Sequence, residues 1–233
     1  LISSKRTTEF SEFPMADTVA DYPSHRELLQ YFNAFADHFK LREHFRFGVR
    51  VLRVEHLLPM LRKFKDTDTL FNIDRSWWRW PNALMALDGL YMAHQLLMKC
   101  PAWEGAALQR LREFRVKFPI VPICATPDDV YRVVNDPQLN TVGEELISTT
   151  PQSPWFSPSV IEEFQSMGVF VFVNTVTLNT GIPLFGGLDD ELAISKSPDE
   201  AYGPVFELGV NAVQTDWPAL VRDYREKWFA AHQ

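Results

Sequence analysis

The chain has 233 residues, of which 46% are hydrophobic and 23% charged, enough to bury one large core or one domain with an appendage. This is an ordinary globular composition. A formal net charge of −7 excludes nucleic acid as the main partner, because phosphate binding needs a basic face.

The chain opens at Leu1, without a methionine, in what reads as a strand, as expected of a fragment. A Pro-rich loop leads into an amphipathic helix over 24–40, where Ser24 and Glu27 have the spacing of a capping box. "FRFGVRVLRVE" (45–55) alternates apolar and basic residues, the period of a half-exposed strand. Residues 1–55 are thus expected to form one piece and 56–233 another. From Thr69 onward short apolar runs alternate with helical patterns. Strands are predicted over 69–74, 95–100, 118–124, 141–147, 169–175 and 211–216. Helices follow each of them, over 82–94, 104–114, 127–136, 157–168, 197–209 and 218–231. Ser157, Pro158 and Gly168 have the chemistry of cap, first turn and stop for the fourth of these helices. "VFVFVNT" (169–175) has the uninterrupted apolar character of a strand buried on both faces.

Six β–α units with short connections imply parallel strands with helices packed outside. A complete (β/α) barrel takes eight units and about 250 residues. The expected fold is therefore α/β, an incomplete TIM-type barrel with about six recognisable β–α units, preceded by an unrelated loop–helix–strand segment. No apolar run is long enough to span a bilayer and no signal peptide is visible, so a cytoplasmic protein is expected. Cys100 and Cys124 lack metal-ligand spacing and read as buried free thiols.

In a parallel barrel the functional groups gather at the C-terminal strand ends. Those positions hold Asp74 and Arg75, Lys99, Glu144 and Glu145, Asn174, and Asp216 with Trp217. Carboxylates, a lysine and an amide around one mouth suit a divalent cation and a phosphate. Glu144 and Glu145 alternate faces, so at most one enters the mouth. Asn174 lies in so apolar a strand that its amide must find a partner. Asp216 serves equally well as a cap for the last helix. Trp77, Trp78 and Trp80 either wall the opening or are buried where the loop folds over.

"ELGVNAVQTDWPALVRDYRE" (207–226) is similar to the last strand and helix of the glycerophosphodiester phosphodiesterases. "GVFVFVNTV" (168–176) resembles the strand before it, and "LFNIDRSWW" (70–78) the third-strand motif whose acid ligates metal. The resemblance covers about residues 57–228 and implies a lipid-metabolism hydrolase using Mg or Ca on a small phosphodiester. Asp74 would be the metal ligand, and Arg75, Lys99, Glu145, Asn174 and Trp217 would contact substrate. The family's His-Arg, Glu-x-Asp and His-Asp motifs are absent. His25-Arg26 opens a helix, His56 has no partner acid and His94 lies on the outer helix side. General acid–base work needs a titrating group within reach, so no catalytic residue is assigned and impaired hydrolysis is expected, with weak metal binding. Exposed apolar surface from missing strands favours self-association.

"SSKRTTEFSEFPM" and "YPSHRELLQYFNAFADHFKLREHFRFGVRVLRVE" resemble a segment of the flavin-containing monooxygenases, which lies after their first dinucleotide-binding unit. That resemblance implies an oxidoreductase fragment, or a non-catalytic fusion product, as the alternative reading. None of the ten glycines forms a Gly-x-Gly-x-x-Gly turn. FAD and NADP are therefore not expected, and no cofactor-binding residue is assigned.

Overall fold

The computed structural model describes residues 5–10, 12–44, 53–178 and 180–232. The chain divides into two compact units, Leu1–Leu52 and Arg53–Gln233. The first contains α1 (Lys5–Thr8) and α2 (His25–His38). Helix α2 starts where the sequence places its cap. The Glu27 amide donates to Ser24 Oγ at 3.3 Å and the Ser24 amide to the Glu27 carboxylate at 2.8 Å. That backbone bond from Ser24 holds the Glu27 carboxyl below its ordinary range. Met15, Leu28 and Tyr31 form a small core with Phe13 and Val19. The Tyr31 hydroxyl ties the preceding loop to it, accepting from the Phe10 amide and donating to the Phe13 carbonyl, both at 2.7 Å.

The strand predicted over 45–55 lies outside the described residues as far as Leu52. From Arg53 the chain is helical, in α3 (Arg53–Arg62). Leu57, Leu58 and Leu61 recur at helical spacing and pack on the core of the second unit, Leu61 fully buried. That period decides the local structure here.

The second unit continues with β1 (Phe71–Ile73), α4 (Trp80–Asp88), β2 (Leu96–Met98), α5 (Gly105–Glu113), β3 (Pro119–Ile120) and β4 (Ile123–Cys124). Then follow α6 (Pro127–Val134), β5 (Asn140–Thr141), β6 (Gly143–Leu146), α7 (Pro158–Ser166) and β7 (Phe170–Asn174). It ends with α8 (Asp190–Ser195), α9 (Pro198–Glu207), β8 (Ala212–Gln214) and α10 (Pro218–Ala231). The strands pair in the orders β1-β2-β3-β5 and β4-β6-β7-β8, parallel throughout. The expected α/β architecture with parallel strands is present.

The two sheets continue into one another. The Ile123 amide donates to the Cys100 carbonyl at 2.9 Å and the Glu145 amide to the Pro122 carbonyl at 2.8 Å. The strand predicted over 118–124 is thus broken only at Val121–Pro122, where proline has no N–H for the ladder. β5 and β6 are similarly two parts of one predicted strand.

Other departures have local causes. The helix predicted over 82–94 stops at Asp88, with Gly89 as its cap and Tyr91 turned to φ 55°. The next residues serve the loop before β1 instead. The buried Gln95 amide donates to the carbonyls of Phe64, Thr67 and Thr69 at 2.9–3.0 Å and accepts from the Asp66 amide. Ser157 precedes α7 but makes no side-chain cap; its hydroxyl meets Ser159 Oγ at 2.9 Å. Helix α8 was not expected from periodicity, being too short for an apolar repeat, and is nucleated by Asp189 Oδ1, which accepts from the Leu192 amide at 2.9 Å. Among the described residues no helix is long and apolar enough to cross a membrane.

Candidate functional site

Parallel strands deliver their C-terminal ends to one side of a sheet. Asp74 follows β1, Lys99 follows β2, Glu145 lies in β6, Asn174 ends β7 and Gln214 ends β8. Lys99 and Gln214 stand four strand positions apart, which is about 19 Å in a flat sheet. Yet Lys99 Nζ donates to Gln214 Oε1 at 3.3 Å. The sheet is therefore curled, and its strand ends converge. They line a cavity of about 560 Å³, within the size range of small-molecule sites.

Lys99 is the centre of this mouth and is fully buried. Its ammonium is ion-paired with Glu145 and lies 3.4 Å from Asp74 Oδ2. The ring of Phe172 lies 5.2 Å below it, a cation–π distance. Asn174 Nδ2 donates to Glu145 Oε1 at 2.9 Å, and its own carbonyl oxygen accepts from the Val176 amide at 3.0 Å. The amide in the apolar strand thus has the partner that burial demands. Asp74 Oδ1 accepts from the Arg75 amide at 2.7 Å. Arg75 itself adopts φ 46°, a left-handed conformation uncommon for a long side chain. Trp77, Trp78 and Trp103 form the aromatic wall. Trp80 does not: it is fully buried and its Nε1 donates to Ser76 Oγ at 3.0 Å.

The mouth therefore brings together Asp74, Arg75, Lys99, Glu145 and Asn174. Trp217 is not among its lining residues; it precedes α10, half-exposed. Asp216 is held elsewhere through its backbone, its amide donating to Asp190 Oδ2 at 2.8 Å. Asp190 is a buried carboxylate that the sequence reading missed. Its Oδ1 accepts from Thr175 Oγ1 at 3.0 Å, Tyr202 OH at 2.8 Å and Thr215 Oγ1 at 2.8 Å. Burial, then the bond to Asp190, raise the Tyr202 phenol above its ordinary range and keep it a donor. Gln214 and Trp103 were also missed. Gln214 ends β8 and Trp103 lies in the loop between β2 and α5, both of them strand-end or βα-loop positions.

Glu144 faces away from the mouth, on the opposite side of β6. It is fully buried, and neither carboxyl oxygen has a hydrogen-bond partner among the described residues. Burial pushes its carboxyl from 4.5 up to about 8, so it is protonated at neutral pH. The unfolded chain releases this proton near its ordinary value, whereas the fold retains it to about 8. The stabilisation is complete below pH 4.5 and is lost as pH rises through 4.5–8. In that window the slope is about 1.4 kcal/mol per pH unit. Raising the pH from 6 to 7 is expected to lower the unfolding free energy by about that amount, and Glu144→Gln to remove this part of the dependence. Urea unfolding of both proteins at the two pH values checks it.

Cys100 and Cys124 are buried free thiols. Burial pushes Cys100 up to about 12 and raises Cys124 as well, so neither supplies a thiolate. Among the described residues no group of three or more His, Cys, Asp or Glu side chains is placed to hold a metal. Asp74, where the Mg or Ca site is expected, faces the Lys99 ammonium, which lies between it and Glu145.

Residues 1–60 match a family model described as flavin-binding monooxygenase-like. No curated protein matches the chain. The match falls on the segment whose motifs resemble the flavin-containing monooxygenases and supports that resemblance. It corrects two expectations. The hydrolase, phosphodiesterase and TIM-barrel identity has no family match to stand on, and among the described residues no histidine lines the mouth. The expectation that FAD and NADP play no part is overturned, because the matched family implies both. The matched residues carry a single glycine, Gly48, and a pyrophosphate cradle is built from successive glycine turns at a strand–helix junction. The described residues of this segment contain no such cradle.

Proposed function

We propose that this chain is a flavin-monooxygenase-related protein whose α/β unit binds a small polar ligand at its curled strand ends. The first half of the reading is supported by the match over residues 1–60. The second is carried by one observation: five strand ends place Asp74, Lys99, Glu145, Asn174 and Gln214 around one cavity beneath exposed indoles. Mostly apolar pockets with a few convergent polar groups are the usual form of small-molecule sites. In this reading Arg75 and Asp74 meet the ligand at the rim, and Lys99, Glu145 and Asn174 form a rigid floor. Their mutual bonds fix the geometry before a ligand arrives, which lowers the ordering cost of binding. The oxidoreductase character belongs to the flavin-related segment and is kept separate from the mouth.

Titrating the full chain with FAD, in the presence and absence of NADPH, tests the first half. A saturable rise in flavin fluorescence polarisation is expected. Unchanged polarisation would remove the flavin-related activity and leave a binding protein alone. Quenching by acrylamide tests the second half: the exposed Trp78 and Trp103 should be reached readily and then shielded by a ligand in the mouth.

A further inference from the structure

We infer that the ligand of this mouth is a neutral polyhydroxylated molecule, of the sugar or cyclic polyol class. The inference rests on the ligand-binding reading above and names its substrate class. It follows from how the floor distributes charge and hydrogen-bonding capacity.

An anion would need a free cation. Lys99 has three N–H donors, and three acceptors surround them: Glu145, Asp74 and Gln214 Oε1. Its charge is already met by two carboxylates, so a phosphate or carboxylate finds no uncompensated cation in Lys99. A cation would need unneutralised acids beside the indoles. Both carboxylates of the mouth already face Lys99, and Arg75 lines the same opening. The mouth is thus charge-balanced, two cations against two carboxylates: an anion reaches only the Arg75 guanidinium at the rim, with Asp74 beside it, and gains little at the floor.

What it offers instead is paired capacity to accept and donate. An ionised carboxylate has about four acceptor sites. Asp74 and Glu145 each retain some after their bonds to Lys99, Asn174 and the Arg75 amide. Gln214 spends its carbonyl on Lys99, and its amide NH₂ has no partner among the described residues. A hydroxyl donates and accepts at once, so vicinal hydroxyls can use a carboxylate and an amide side by side. The half-exposed rings of Trp78 and Trp103 stand at the same opening. A flat indole face suits the C–H face of a saturated ring, while the ring's edge carries the hydroxyls. A molecule with both features matches floor and wall together.

Intrinsic fluorescence of the full chain, titrated separately with cellobiose, maltose, myo-inositol, choline and glycerol 3-phosphate, tests the inference. At least one of the three neutral probes is expected to give a saturable change. Trp78→Ala or Trp103→Ala should weaken it about tenfold or more, as truncating an aromatic anchor does. Gln214→Leu should weaken it too, with the far-ultraviolet circular dichroism of all variants unchanged. Saturation by choline or glycerol 3-phosphate alone would overturn the substrate class while leaving a ligand-binding mouth. Neutral binding that is indifferent to all three substitutions would place the ligand elsewhere and overturn it as well. No response to any probe would sink both the class and the reading beneath it.

Discussion

Lys99→Met is expected to destabilise the α/β unit by about 3–5 kcal/mol, the cost of removing one partner from a buried ion pair. The reason lies in what is left behind. Glu145 is buried and Asp74 is partly so, and both point at the lysine nitrogen. Methionine fills the volume but leaves the buried Glu145 and the partly exposed Asp74 without their cation. The size of the effect therefore reports the stranded acids more than the intrinsic worth of the pair. A second variant separates the two. Adding Glu145→Gln to Lys99→Met removes one stranded charge, retains an acceptor for Asn174, and should recover a large part of the loss. Guanidinium unfolding of wild type, single and double variants gives the coupling energy directly. If Lys99→Met unfolded at the wild-type midpoint, the central place given to this lysine would be untenable.

Asp190→Ala should cost about 3 kcal/mol or more, since each hydrogen bond to a charged group contributes about 1.5–3 kcal/mol and such bonds are not additive. One carboxylate gathers hydroxyls from Thr175 after β7, Tyr202 in α9 and Thr215 after β8, together with the Asp216 amide. Truncation removes the acceptor of all four donors and orphans the buried Tyr202 hydroxyl, while Thr175 keeps the Gln214 carbonyl at 3.0 Å. The damage should not stay local, because Thr175 and Thr215 directly follow the two strand ends that carry Asn174 and Gln214. Loosened strand ends should weaken ligand binding at the mouth, although Asp190 does not line it. Asp190→Asn keeps one acceptor oxygen and should be milder. Thermal unfolding, followed with the ligand titration, measures both effects.

The alternation of strands and helices was legible in the sequence because it is a matter of local period. The six strand positions and α10 lie where apolar runs and the Pro218 start signal place them. The capping box of α2 was readable from two residues. The mouth was readable in outline, since parallel strands send their C-terminal ends to one side. What escaped depends on partners far apart in sequence. Lys99 had the spacing of a substrate contact, but nothing near it showed that Glu145 and Asp74 would neutralise it. Asp190 sits in a segment with no strand or helix period, and its four donors come from residues 175, 202, 215 and 216. Trp217 had a strand-end position but turns away as the chain enters α10. The helix at Arg53–Arg62 was hidden by a basic–apolar alternation running into it from residues that precede the second unit. The phosphodiesterase likeness rested on motifs of the strand–helix frame, whereas the acid–base groups that would have given it chemistry were missing from the start.

The 115-residue separation between Lys99 and Gln214 bears on how the protein is made. A chain leaving the ribosome presents the lysine and its two acids long before the strand that completes their surroundings has been translated. Contacts of such range are slow to form and leave sheet edges uncovered meanwhile. Vectorial synthesis thus leaves the floor unfinished until Gln214 has been translated, and a product cut short before it would be an early client for chaperones and proteases.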